Sequence, residues 1–136
     1  MTTLLLDTHA ALWLDSGAPM APEAVAAIEA AAAEGGVLVS PVTAWEIGLL
    51  VRKGRLSLDL PPLAWLDRFL ALPGIRPTPL TPAAAVQSSF LPGSFHGDPA
   101  DRMLVATARE LGAVLVTRDR KILAYAEAGE LQALAC

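Results

Sequence analysis

Three short apolar runs constrain this chain more than any other feature: Leu4-Leu5-Leu6, Val37-Leu38-Val39 and Val114-Leu115-Val116. None contains a polar residue, and each is followed by a helix signal. A strand with one wet face alternates apolar and polar residues. An unbroken run fits a strand covered on both faces. Such strands alternating with helices predict an α/β fold with a parallel sheet between two helical layers.

The helix signals are capping signals. Pro22 opens a helix reaching residue 34, stopped by Gly35-Gly36. Ser40-Pro41 sets an N-cap before a proline at the first helical position, opening a helix to residue 53. Further helices are expected over 10–15, from Pro61-Pro62 to about residue 72, for two turns after Thr81-Pro82, from Asp98-Pro99 to Gly112, and over 119–127. Residues 75–78 and 131–134 read as short outer strands. Connections are short, with no linker or internal repeat, so residues 1–136 are expected to form one domain.

Apolar residues make up 54% of the chain and mean hydropathy is +0.47. No apolar run approaches the roughly 18 residues of a membrane span. The surplus points to a protein interface, by self-association or with a partner. Net charge is −4, unlike a passive nucleic-acid coat. The single cysteine, Cys136, excludes an internal disulfide and suits a reducing cytoplasm. Leu4-Leu5-Leu6 is too short for a signal peptide's apolar core, so none is expected.

Two acids lie on stripes that face a core. Asp101, Leu104, Val105 and Ala108 share one helical face, with Arg102, Ala106 and Arg109 off it. Val42, Trp45, Glu46, Leu49 and Leu50 share another. A carboxylate aimed at a core is costly unless paired. Asp7 directly follows the first strand and Asp119 follows the last by three positions. Ligand sites of open parallel sheets lie outside the carboxyl ends of the strands. Asp7, Glu46, Asp101 and Asp119, with Asp98, therefore converge on one edge. Their mutual repulsion is relieved by a divalent cation, and an all-oxygen donor set suits Mg²⁺ or Mn²⁺. Such an ion activates water for attack on a phosphodiester.

Each acid also has a plainer reading. Asp7 fits a strand-end turn, Asp98 and Asp119 fit helix caps, and Asp101 and Glu46 fit ordinary helix acids. Arg118 and Arg120 flank Asp119 and suit phosphate contacts, while Arg102 suits either phosphate or an ion pair. His96 precedes the Asp98 loop and is placed at the mouth of the site; His9 is assigned to packing or capping. Neither histidine completes a zinc site or a nucleophile triad, and no phosphate-cradling glycine motif occurs.

Four segments, in this order, resemble the PIN-domain family and within it the VapC-like toxins of toxin–antitoxin pairs. They are Leu4-Leu5-Leu6-Asp7-Thr8-His9, Ser40-Pro41-Val42-Thr43-Ala44-Trp45-Glu46-Ile47, the stretch from Gly97 to Ala108, and Val114-Leu115-Val116-Thr117-Arg118-Asp119. The resemblance implies a three-layer α/β/α sandwich with a short, mainly parallel sheet. It implies an endoribonuclease using one or two Mg²⁺ or Mn²⁺ ions, with Asp7, Glu46, Asp101 and Asp119 as the acids and Asp98 as ligand or cap. Thr117 matches a small hydroxyl position near the site, and Thr8 is a weaker candidate of that kind. It further implies a cognate antitoxin, an RNA substrate, a homodimer or toxin–antitoxin hetero-oligomer, and no membrane association. The rival readings are an inactive PIN-like binding module, which the complete acid set opposes, and a phosphoacceptor receiver domain. The receiver reading lacks an acid pair after the first strand and a lysine directly after a late one.

Overall fold

The computed structural model describes residues 2–136. Five parallel strands form one sheet: β1 (Leu4–Leu6), β2 (Val37–Val39), β3 (Ile75–Pro77), β4 (Val114–Thr117) and β5 (Gln132–Ala135), in the order β3-β2-β1-β4-β5. The three unbroken apolar runs are the central strands, and their pleat explains their composition. Leu4, Leu6, Val37, Val39 and Val116 feed one core, while Leu5, Leu38 and Leu115 feed the other. Every residue of β1 and β2 is buried. The outer strands carry Arg76 and Gln132, and Pro77 lies on the edge strand β3, where a missing N–H costs least.

Among the described residues seven helices cover the sheet: α1 (Thr8–Ser16), α2 (Pro22–Ala32), α3 (Pro41–Arg52), α4 (Pro62–Leu70), α5 (Pro82–Gln87), α6 (Pro99–Leu111) and α7 (Arg120–Glu127). One core draws on α1, α2 and α4, where Trp65 and Phe69 stack at 5.1 Å between ring centroids. The other draws on α5, α6 and α7. Helix α3 bridges the layers, with Val42 in one core and Ile47 in the other.

Gly74 shows how tightly β3 meets the first layer. Its φ is +81°, and a Cβ there would sit 2.0 Å from the carbonyl oxygen of Ala32. Only glycine fits that approach.

The structure differs from the sequence pattern at two positions. Periodicity puts Trp45 on the core face of α3, but it is 57% exposed, while Thr43 and Ile47 are buried. Val42 is buried as expected, but the packed side of α3 turns toward Thr43 and Ile47 and away from Trp45. Ala106 was placed off the buried face of α6, yet it is 3% exposed. Helix α6 touches α3, α5 and β4, so it has more than one packed side.

The strand order sets the position of a site. From β1 the chain moves outward through β2 to β3, then returns to place β4 on the other side of β1. The direction of winding therefore reverses between β1 and β4. The crevice outside their carboxyl ends is where ligands bind in such sheets.

Candidate active site

At that crevice Asp7 directly follows β1 and β4 ends in Thr117, two residues before Asp119. Asp7 is 8% exposed. Its Oδ1 accepts a hydrogen bond from the N–H of Ala10 at 2.7 Å, which makes it the N-cap of α1. That cap starts the helix at Thr8 instead of residue 10. Its Oδ2 accepts from Thr117 Oγ1 at 2.5 Å. Thr117 Oγ1 in turn accepts from the N–H of Asp119 at 3.0 Å. One hydroxyl thus holds the acid of β1 in register with the acid after β4.

Asp119 caps α7, accepting from the N–H groups of Lys121 and Ile122. Asp98 caps α6, accepting from the N–H of Asp101 at 3.0 Å. Glu46 is half-buried on α3 and accepts from Thr8 Oγ1 at 2.5 Å; Thr43 Oγ1 lies 3.4 Å from Thr8 Oγ1. The acids mix roles. Three of them cap helices, and caps tie a carboxylate to a fixed backbone position.

Asp7, Glu46, Asp98, Asp101 and Asp119 line one cavity of about 450 Å³, together with Thr8, His9 and Arg118. The site raises the carboxyls of Asp7, Glu46 and Asp101. Burial pushes the Asp7 carboxyl up, and the Thr117 and Ala10 hydrogen bonds offset it only in part. Burial likewise raises Glu46 against the opposing Thr8 bond. Asp101 is pushed from 3.8 up to about 7, first by burial and then by the charges of Asp98, Asp119, Glu46 and Asp7. Carboxylates brought together without a counter-charge behave this way.

Among the described residues, the tightest set of potential ligand atoms belongs to His96, Asp101 and Asp119, all within 4.8 Å of one another. Asp7 and Glu46 face the same cavity outside that set. His96 Nε2 lies 3.2 Å from Asp101 Oδ2, is shielded from solvent, and makes no well-formed hydrogen bond. Its Nδ1 accepts from the N–H of Asp98 at 3.3 Å. The sequence put His96 at the mouth of the site; its approach to Asp101 had no signal, because a loop folds it back onto the helix that follows. His9, assigned to packing or capping, sets its ring 5.6 Å from that of Trp13. It is exposed and lines the cavity beside Trp13.

The proposed phosphate contacts divide. Arg120 lies exposed at the start of α7. Arg118 lines the cavity, but its guanidinium stacks 3.8 Å above Trp13 and donates to the carbonyls of Pro19 and Cys136. Arg102 is a correction. It donates to the carbonyls of Ser88, Phe95 and His96, which commits its fork to the backbone of the loop before α6. Thr117 is fully buried, so it holds Asp7 and does not reach a substrate.

The PIN domain model matches residues 4–128. The chain belongs to the PIN-domain family. Within that family, this PIN domain is 38% identical over 125 residues to a protein named Ribonuclease VapC22 from Mycobacterium tuberculosis, covering 92% of this chain and 93% of that one. Its fold is similar to that of VapBC2 from Rickettsia felis, solved bound to a fragment of promoter DNA. The TM-score is 0.72 at 16% identity, over 98% of both chains. DNA-bound VapBC from Salmonella typhimurium gives a TM-score of 0.71 at 17% identity, over 99% of this chain and 98% of that one. Both confirm the three-layer parallel α/β architecture of the PIN domain.

Proposed function

We propose that this PIN domain is a metal-dependent endoribonuclease, the toxin of a toxin–antitoxin pair, like the ribonuclease it resembles at 38% identity. The observation that carries the reading is the convergence of Asp7, Glu46, Asp101 and Asp119 on one cavity, with Asp101 driven up to about 7. Such a cluster is an energetic liability in a metal-free protein and an asset in a cation site. The donors are hard oxygens, the set that suits Mg²⁺ or Mn²⁺.

Asp7, Glu46, Asp101 and Asp119 would hold the ion, with Asp98 beside them. A bound ion supplies charge neutralisation at the phosphoryl group and activation of water. The chain's own residues prepare that chemistry. Thr117 and the Ala10 N–H fix both oxygens of Asp7, and Thr8 fixes Glu46, so the carboxylates are set before substrate arrives. Arg120 and Arg118 supply positive charge beside an otherwise acidic crevice.

The partner in this reading is a small antitoxin protein. A groove of about 730 Å³ adjoins the site and shares His9 and Trp13 with it, lined by Leu56, Leu58 and Trp65 and by the charged Arg55 and Asp59. Its mixed walls suit an amphipathic segment of another chain. Exposed Trp45, Val86 and Phe90 offer further apolar surface for self-association. No helix among the described residues is long and apolar enough to cross a membrane, and the free thiol of Cys136 suits the cytoplasm.

The test is cleavage of structured RNA by the purified chain in Mg²⁺ or Mn²⁺. Activity is expected to vanish in EDTA and in Asp7→Asn. Undiminished cleavage under either condition removes the mechanism.

A further inference from the structure

Beside the acid cluster lies a second concavity whose chemistry is unlike it. It has a volume of about 420 Å³ and is walled by Ser94, Phe95, His96, Lys121, Ala124 and Tyr125. His96 connects the two: its Nε2 lies 3.2 Å from Asp101 Oδ2, and the residue lines this cavity. Three rings run from the acids into the cavity. His96 and Phe95 have centroids 4.4 Å apart at 51°, and Phe95 and Tyr125 are 4.8 Å apart at 47°. Lys121 is exposed at the rim.

The wall is held rigid by contacts that the metal chemistry does not use. Arg102 gathers the carbonyls of Phe95 and His96, and Tyr125 Oη donates to the carbonyl of Pro92. Arg102 is spent on these carbonyls and shapes the loop that carries Phe95. Preorganised aromatic walls with a cation at the rim are the elements that bind a nucleobase and its phosphate in single-stranded nucleic acid.

We propose that this cavity is a nucleobase subsite: it takes the base of a single-stranded RNA nucleotide next to the scissile phosphate, stacked against Phe95, with Lys121 on that nucleotide's phosphate. The inference rests on the ribonuclease reading of the adjoining acids and adds to it a place where sequence preference is read. The occupant is fixed by two features, continuity with the acid cluster through His96 and the positive charge of Lys121.

The experiment follows backbone amide shifts of the full chain, without metal, on titration with each of the four ribonucleosides, the four ribonucleoside 5′-monophosphates, and inorganic phosphate. Nucleosides are expected to move the amides of Ser94, Phe95 and Ala124, and inorganic phosphate alone to leave Ser94 and Phe95 in place. Phe95→Leu keeps an apolar side chain there and is expected to weaken nucleoside binding at least fivefold, as loss of base stacking does. Lys121→Gln, at an exposed position, is expected to remove the extra affinity of the monophosphates over the nucleosides. A cleavage arm uses a random-sequence RNA pool in Mn²⁺ with sequenced ends. Base bias at one position beside the cut is expected, flattened by Phe95→Leu. Nucleoside shifts confined to the Trp13 groove, no shifts at all, or equal binding by Phe95→Leu overturns the subsite. Absence of any cleavage by the unmodified chain counts against the nuclease reading instead, and the nucleoside arm still decides the cavity.

Discussion

Replacing Asp101 with Asn should stabilise the metal-free protein at neutral pH while disabling the site. The Asp101 carboxyl is pushed from 3.8 to about 7 in the folded state. Below pH 4 both folded and unfolded states hold the proton, and the carboxyl adds no penalty. Between pH 4 and 7 the unfolded chain releases the proton while the folded chain keeps it, so stability falls as pH rises. Above 7 the penalty is complete, the opposite direction from a salt-bridged aspartate. A rise from 3.8 to about 7 corresponds to roughly 4 kcal/mol. The Asp101 side chain is 24% exposed, so solvent screening reduces this, and we expect about 1–2 kcal/mol. Asp101 also sits in the first turn of α6, where the helix dipole favours a negative charge by ~0.3–1 kcal/mol. That offset is lost in the Asn variant and sets the lower end of the range. For a chain of this size, 1–2 kcal/mol is about 3–6 °C in Tm. The assay is thermal unfolding in EDTA at pH 3.5 and pH 7.5. Asp101→Asn should melt above the unmodified protein at pH 7.5 and close to it at pH 3.5, where both states hold the proton, and saturating Mn²⁺ at pH 7.5 should stabilise only the unmodified protein strongly. An Asn variant whose advantage does not grow between pH 3.5 and 7.5 would falsify the account of Asp101 as a repelled, buried carboxylate.

Asp98→Asn should impair cleavage less than Asp101→Asn, because asparagine still caps α6 and Asp98 is exposed; single-turnover rates in Mn²⁺ decide the order, and the reverse order would exchange the two roles. Thr117→Val removes the donor to Asp7 Oδ2 and should weaken Mn²⁺ binding about 10-fold or more by calorimetry, with Thr117→Ser restoring most of it. Arg102→Leu leaves the Ser88, Phe95 and His96 carbonyls without their shared partner and should cost about 2–3 kcal/mol in urea unfolding; an unchanged midpoint would return Arg102 to the candidates for RNA contact.

The sheet was legible because its central strands are covered on both faces, and nothing but unbroken apolar runs fits that position. The caps were legible too, since Ser40, Thr81, Asp98 and Asp119 stand where the helices lose their N–H partners. Strand order alone then brings the acids to one crevice. What the sequence hid depends on contacts between distant segments. The side of α3 that Trp45 occupies is set by which layer α3 packs against, and periodicity locates a stripe only to within a residue. The three carbonyls that hold Arg102 belong to a loop with no pattern of its own. The Thr117–Asp7 bond joins residues 110 positions apart, and neither residue announces the other.

That bond has a consequence for the timing of synthesis. Strand β1 is made first, but its neighbour β4 begins at Val114, and Asp119 comes later still. Until then Asp7 lacks the Thr117 hydroxyl, and β1 lacks half of its ladder. A chain emerging from the ribosome therefore cannot assemble the acid crevice piecemeal. Under the proposed ribonuclease reading, the long separation in sequence would work as a delay: the acid crevice cannot be completed before the segment that carries Thr117 and Asp119 has emerged.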